Sequence, residues 1–279
     1  MKLTSEQLQA YDRDGFLVFP NLISPEEVAL LKSELARVGD IKDERVVRER
    51  TGGPRIVYGM HEKIGPTASP AYEALVRSPR ILTPTRDLIG DDVYVYHTKA
   101  NTKQALDGAI FEWHQDYTNW KMMDSPPEPR MLTTMVMLDR STEVGGCLYF
   151  IKGSHKLGIV KPDLGGVDED TALDAVRLRG EPVSVPHAKM YDVVKSCGEP
   201  VAILGEPGTV AFFHSNLIHG SGHNMSVHTR WILYIVYNAD SNRPQAVPKP
   251  RQEFKAARKA PPATVLNYRS ILEAAAAPL

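Results

Sequence analysis

Two hydrophobic periods divide the chain. Up to Gly90 the apolar positions recur mostly at helical spacing; from Asp92 they fall into short aromatic and β-branched runs bounded by Gly and Pro. Thr4 to Arg13 reads as a short amphipathic helix carrying Leu8 and Tyr11, with Thr4 as its N-cap. Gly15 to Phe19 is a short apolar run, read as a strand. Ser24-Pro25-Glu26-Glu27 joins a cap, a proline at the first helical position and two acids in the first turn. Val28, Leu30, Leu31, Leu35 and Val38 then supply one buried stripe. Residues 40–68 are charged, rich in Gly and Pro and without a period, so they are read as loop with strand fragments. Ser69-Pro70 and Ser78-Pro79 open two more helices, the second ending at Gly90.

Beyond Asp92 the predicted strands are Val93–Thr98, Phe111–Asp116, Met131–Leu138, Leu148–Ile151, Val201–Leu204, Thr209–Phe213 and Arg230–Tyr237. Gly145-Gly146 and Pro207-Gly208 are read as turns. Residues 152–200 hold Gly, Pro and mixed charges, with one predicted helix near 170–177, and are expected to form a lid-like insert. After Asn242 the chain is rich in Pro, Lys and Arg. Helices first and closely spaced strands after predict a mainly β fold with flanking helices: a double-stranded β-helix, or jelly roll, on an N-terminal helical buttress. The expected division is a domain at 1–245, including the insert, and a surface-wrapping tail at 246–279.

Composition narrows the setting. Apolar content of 42% and charged content of 24% suit a globular core, and a formal net charge of -1 leaves no footprint for nucleic acid or an anionic membrane. No apolar run approaches the roughly 18 residues of a membrane span. The start, Met1 to Glu6, lacks a signal-peptide core. Cys147 and Cys197 are too few for a disulfide framework or a Cys-rich zinc site. The expectation is a cytoplasmic protein, monomer or homodimer, with a small-molecule substrate as its partner.

The candidate chemistry starts at Phe111-Glu112-Trp113-His114-Gln115-Asp116. If this is strand, His114 and Asp116 share a face. An imidazole and a carboxylate are two of the three ligands of the 2-His-1-carboxylate site of non-haem Fe(II) oxygenases. A hydrogen-bonded core His beside a surface Asp would give the same pattern. For the second His, Gly220 and Gly222 break any zincin-like helix around His219 and His223. His219 is the best candidate, because Leu217-Ile218 set it at a strand end and Gly220 lets backbone approach. His223 and His228 are read as solvent-facing. Arg230 opens an apolar strand and needs an anion, which a bound carboxylate or a neighbouring acidic side chain would supply.

Together these stretches resemble the phytanoyl-CoA dioxygenase family of Fe(II)/2-oxoglutarate oxygenases. The resemblance rests on His114-x-Asp116, His219, Arg230 and the opening Tyr11-Asp12-Arg13-Asp14-Gly15-Phe16-Leu17-Val18. It rests also on Gly145-Gly146-Cys147-Leu148-Tyr149-Phe150-Ile151-Lys152-Gly153-Ser154-His155, where Lys152 replaces the family's Pro. It covers residues 4–245. Within the family the chain is most similar to the ectoine hydroxylase branch, through Trp113-His114-x-Asp116, Trp120, Phe213, His219-Gly220-Ser221, Val236-Tyr237-Asn238 and Lys103. It departs from that branch at His97, where a Gln is expected, and in the stretch from Lys121 to Arg130.

The resemblance implies Fe(II) held by His114, Asp116 and His219 as the catalytic centre. It implies 2-oxoglutarate and O2 as co-substrates, with ascorbate as the reductant in assays. Arg230 and Ser221 would bind the distal carboxylate of 2-oxoglutarate, with Lys103 as a second anion contact. His97, Trp120 and Phe213 would shape the substrate pocket. The implied reaction hydroxylates a small polar metabolite, amino-acid-like or ectoine-like, and releases succinate and CO2. The competing readings are a non-catalytic metal-binding jelly roll and an oxygenase of acyl-CoA thioesters. A halogenase, which carries Gly or Ala in place of the ligand Asp, is disfavoured by Asp116.

Overall fold

Local caps start the helices where the sequence predicts them. In the computed structural model, helix α1 (Ser5–Asp14) opens on a capping box in which Thr4 and Gln7 each satisfy the other's backbone amide. Its end is set by Gly15, at φ 85°. A side chain there would meet His155 and Leu217 at under 3 Å, so the turn into β1 (Phe16–Phe19) needs glycine. Ser24 and Glu27 form a second capping box on α2 (Pro25–Gly39). The short strands β2 (Val46–Arg48) and β3 (Pro54–Tyr58) and the helices α3 (Pro70–Val76) and α4 (Pro79–Ile89) complete the N-terminal part. The structure describes all residues except 50, 109, 162–165, 167, 169–170, 172–182, 269 and 277–279.

The remaining strands are β4 (Val93–Lys103), β5 (Phe111–His114), β6 (Met131–Met137), β7 (Leu148–Phe150), β8 (Val201–Ile203), β9 (Val210–His214), β10 (His219–Ser221) and β11 (Arg230–Ala239). They build a seven-stranded sheet ordered β1-β9-β6-β11-β4-β3-β2 and a four-stranded sheet ordered β5-β10-β7-β8. One face of the large sheet, with Val210, Phe212, Leu233 and Ile235, packs on α1 to α4. The other face, with Met135, Ala211, Phe213 and Ile232, packs on Leu148, Phe150 and Ile203 of the small sheet. The fold is the expected jelly roll on a helical buttress. Each large apolar side chain sealed between the layers contributes about 1.5–3 kcal/mol.

Three local outcomes differ from the sequence reading or extend it. β4 runs to Lys103, five residues past Thr98, and carries an irregularity: Val236 pairs with His97 but Tyr237 with Val95. The extra residue, Tyr96, lets Tyr96 and His97 both face the inner side. β5 stops at His114, and Asp116 opens helix α5 (Asp116–Asp124) instead of ending a strand. The chain turns at Gln115, whose amide donates to the carbonyls of Gly158 and Asn216. Helix α6 (His187–Cys197), not foreseen in the insert, buries Met190 and Val193 against Ile151 and Ile218. The helix predicted near 170–177 lies outside the described residues.

The segment after Asn242 wraps back over the barrel. Ala256 and Ala257 pack against Tyr96 and Trp120. Arg251 and Arg258 converge on the fully buried carboxylate of Asp124. Farther on, the short helix α7 (Ile271–Ala276) is tied through Ser270 and the Ile271 amide to Glu27.

Candidate active site

The barrel brings His114 and His219 face to face. They are register partners in the antiparallel β5–β10 pair, and their rings lie 4.2 Å apart, centroid to centroid. Nδ1 of His114 is 2.7 Å from the Glu112 carbonyl, and Nδ1 of His219 is 2.9 Å from the Leu217 carbonyl. A carbonyl only accepts, so each Nδ1 carries the proton and each Nε2 keeps a free lone pair. Asp116 enters from the first turn of α5, where the Tyr117 amide donates to the Ser215 carbonyl. Its oxygens lie 3.8 Å from His114 Nε2 and 4.0 Å from His219 Nε2. These separations are too long for hydrogen bonds, so the three groups surround a gap.

All three ligand atoms lie within 4.8 Å of one another, and all three residues are buried. Burial pushes His114 down to about 3 and lowers His219 as well, so both imidazoles are neutral. Burial alone would raise Asp116, but His219, Lys99 and His114 hold it below the usual carboxylate range. Thr133 donates to its Oδ2 at 3.3 Å. Two neutral imidazole nitrogens and one carboxylate are the donor set that suits Fe(II), so the residues present fit this metal.

The other end of the site is built for an anion. Arg230 is 2% exposed, and its Nε and Nη1 have no hydrogen-bond partner. Lys103 stands opposite it in the β11–β4 register. The Lys103 ammonium donates to Ser221 Oγ at 2.9 Å and to the Gly222 carbonyl. Burial, with Arg230 adding to it, pulls Lys103 down to about 7. His114, Asp116, His219, Ser221 and Arg230 share one cavity, with about 410 Å³ of empty space including its open mouth.

Residues 11–232 match the family model described as phytanoyl-CoA dioxygenase (PhyH). The ectoine dioxygenase of Nocardia farcinica is 33% identical over 258 residues, which span 90% of this chain and 84% of that protein. The chain belongs to the phytanoyl-CoA dioxygenase family. The ectoine dioxygenase of Sphingopyxis alaskensis is 32% identical over 279 residues, 97% of this chain and 88% of that one. The crystal structure of EctD from S. alaskensis with 2-oxoglutarate and 5-hydroxyectoine matches with a TM-score of 0.80 at 28% identity. The match covers 96% of this chain and 89% of that one. The chain is thus an Fe(II)- and 2-oxoglutarate-dependent dioxygenase, as its motifs imply.

The dioxygenase does not bring all the expected substrate residues onto the cavity wall. Phe213 is fully buried behind His219, with ring centroids 5.2 Å apart, and backs the ligand ring. Trp120 packs on Tyr96 at 5.6 Å and on His97 at 5.8 Å. His97 is 3% exposed, and neither ring nitrogen completes a hydrogen bond, although the Lys255 backbone comes near. Lys99, Asn101, Phe111 and Tyr234, not singled out from the sequence, line the cavity directly. The signal for two of them was the alternation His97, Lys99, Asn101, Lys103 along one strand face. Of the other histidines, His214 accepts from the Asn216 amide through Nδ1, and His223 bonds the Gly108 carbonyl on the surface.

No helix of the chain is long and apolar enough to cross a membrane among the described residues.

Proposed function

We propose that this dioxygenase hydroxylates a small polar metabolite, amino-acid-like or ectoine-like, and releases succinate and CO2. The observation that carries the reading is the buried Arg230 guanidinium, whose Nε and Nη1 have no hydrogen-bond partner among the described residues, in the same cavity as His114, Asp116 and His219. A buried cation without a partner is costly unless a ligand supplies the anion. Arg230 and Ser221 receive the distal carboxylate of 2-oxoglutarate, and Lys103 adds a second positive charge. His114, Asp116 and His219 hold the iron, which when bound supplies the oxidative decarboxylation and the hydroxylating oxygen.

The chain's own work is to position and to exclude water. Phe213 and Phe150 wedge the His219 ring. Val160, Val183 and Val185 serve as cover, since they donate their amides to Gln115, Asn119 and Trp113 beside the proposed metal ligands. Trp120 and His97 form the substrate end, one flat π surface and one donor-acceptor ring.

A net charge of -1 gives no general attraction for the phosphates of an acyl-CoA. The ectoine dioxygenases among its relatives support a small substrate. In this reading the enzyme works in the cytoplasm as a monomer or homodimer, with Cys147 and Cys197 as free thiols. The test is substrate-dependent succinate release with Fe(II) and ascorbate, across ectoine, other small zwitterions and acyl-CoA thioesters. Coupled turnover of thioesters alone would replace the substrate class. No succinate formation and no 2-oxoglutarate binding would leave the non-catalytic metal-binding reading.

A further inference from the structure

The cavity holds a cation that 2-oxoglutarate does not use. Lys99 lies on its wall beside Asp116, and its ammonium has no hydrogen-bond or ion-pair partner among the described residues. Its company is the Tyr234 ring, with Nζ 5.5 Å from the centroid. The carboxylate nearest in effect, Asp116, belongs to the metal. Lys99 is half-buried in the cavity wall, so its ammonium is only partly solvated, and a cation–π contact makes up for a missing acceptor only in part.

Position along β4 separates this cation from the co-substrate end. Lys103 pairs with Arg230, and Lys99 pairs with Tyr234, four residues farther along each strand. At roughly 3.4 Å per residue the two lysines are separated by about 13 Å of strand. Along β4, Lys99 lies between Lys103, which stands opposite Arg230, and His97, whose ring packs on Trp120. Two residues beyond it on the same face is His97, whose ring nitrogens are also unpartnered. Charge points the same way. Iron and one aspartate leave a single positive charge, which the proximal carboxylate of 2-oxoglutarate cancels. Arg230 and Lys103 both stand at the end that takes the distal carboxylate, so that anion is already matched there, and Lys99 is a further cation that the co-substrate end does not need.

We infer that Lys99 is a substrate anchor: it binds a carboxylate of the prime substrate beside the iron, and the substrate is therefore a small carboxylic acid or zwitterion. His97 is placed to bond the polar group at the other end of that molecule. This inference rests on the proposed 2-oxoglutarate chemistry and narrows its substrate class.

The experiment is an anaerobic titration of the Fe(II)·2-oxoglutarate complex, read by its visible charge-transfer band and by calorimetry. The probes are matched acids and carboxamides of ectoine, L-proline and L-pipecolic acid. At least one acid binds the wild-type complex, and its amide binds roughly tenfold or more weakly, as expected for loss of a charge-assisted contact. In Lys99→Gln the acid falls to the affinity of the amide, while 2-oxoglutarate binds as before. Lys99→Arg, which keeps the charge, restores preference for the acid and guards against misfolding of the first variant. The inference is overturned if amides bind as well as acids, if no acid binds, or if Lys99→Gln weakens 2-oxoglutarate instead. A wild-type protein that forms no charge-transfer band at all would fail the broader reading, and that is seen before any probe is added.

Discussion

His114 and His219 are strand partners whose Nδ1 atoms are both tied to backbone carbonyls two residues upstream. The pairing of β5 with β10 therefore sets both the distance between the rings and the tautomer of each. Only Asp116 comes from a different kind of element, and the three then converge on one point. The expected result is that the wild-type protein is stabilised thermally by Mn(II) or anaerobic Fe(II), and that His219→Ala and Asp116→Ala lose this stabilisation and the charge-transfer band. Ligand stabilisation grows with the ratio of metal to Kd, so a weakened site shows as a missing shift in Tm. His214→Ala and His223→Ala keep the band. An intact band in His219→Ala would return the second histidine ligand to question.

Arg230→Ala raises the KM for 2-oxoglutarate by roughly tenfold or more, since a charge-assisted contact is worth about 1.5–3 kcal/mol. The prime substrate's KM changes far less. Arg230 makes no ion pair among the described residues, so its loss breaks no salt bridge there. Equal KM values for 2-oxoglutarate in variant and wild type would mean that the guanidinium serves packing alone.

Lys103 gives the co-substrate site a pH dependence. Its ammonium is pulled from 10.5 to about 7 by burial beside Arg230. A lysine with a lowered value is charged below that value and neutral above it. Binding of the 2-oxoglutarate dianion favours the charged form, so affinity is full below about pH 7 and falls as pH rises, by at most about tenfold per unit. Lys103→Arg flattens the profile, because a guanidinium stays charged throughout. Titrations of 2-oxoglutarate between about pH 6 and pH 8.5 decide this. A wild-type profile as flat as that of Lys103→Arg would count against a role for Lys103 in anion binding.

What the sequence made legible was local. Thr4 with Gln7 and Ser24 with Glu27 announce helix starts because a cap and its partner are three residues apart. The candidate ligands His114, Asp116 and His219 were picked by motif and spacing, and the fold brings them together, although the same-face strand argument for Asp116 did not survive. The switch from strand to helix at Gln115 depends on carbonyls at Gly158 and Asn216, which no local pattern shows. The inner-facing row from His97 to Lys103 was missed because the predicted strand stops at Thr98; the polar run from Lys99 to Lys103 is held as strand by its pairing with β11. Asp124 gave no signal at all: its partners Arg251 and Arg258 lie more than a hundred residues away in the chain.

Gly208→Ala lowers stability without touching the site. Gly208 has φ 90°, and a Cβ there would lie 2.2 Å from the Ile23 carbonyl oxygen. That carbonyl is backbone, held by the bond from the Ile23 amide to the Gly208 carbonyl, so it cannot swing aside. The cost is at least about 1 kcal/mol, and in a chain of this size each kcal/mol lowers Tm by about 2–4 °C. Unfolding followed by far-UV circular dichroism measures it, and an unchanged Tm would show that the turn re-forms at no cost.

His97 is where this dioxygenase departs from the ectoine hydroxylase pattern, and the substitution that tests it is His97→Gln. Burial, with Lys99 and Arg251 adding to it, drives the His97 pKa well below the usual range, so the imidazole is neutral. A neutral imidazole offers one donor and one acceptor, and a Gln amide offers both as well, from a thinner and more flexible arm. The ring is packed edge-on against Trp120 with centroids 5.8 Å apart, so its replacement also opens space beside the indole. If the native substrate is ectoine-like but not ectoine, His97 sets the difference. The expected outcome is that His97→Gln retains or raises ectoine-dependent succinate formation above the uncoupled background. His97→Leu, which fills the space without donor or acceptor, lowers it. Both variants keep the 2-oxoglutarate affinity of the wild type, because His97 lies six residues from Lys103 on β4, at the opposite end of the strand face. A His97→Gln enzyme no better than His97→Leu on ectoine would show that the imidazole is not standing in for an amide, and that the pocket was shaped for a different small acid.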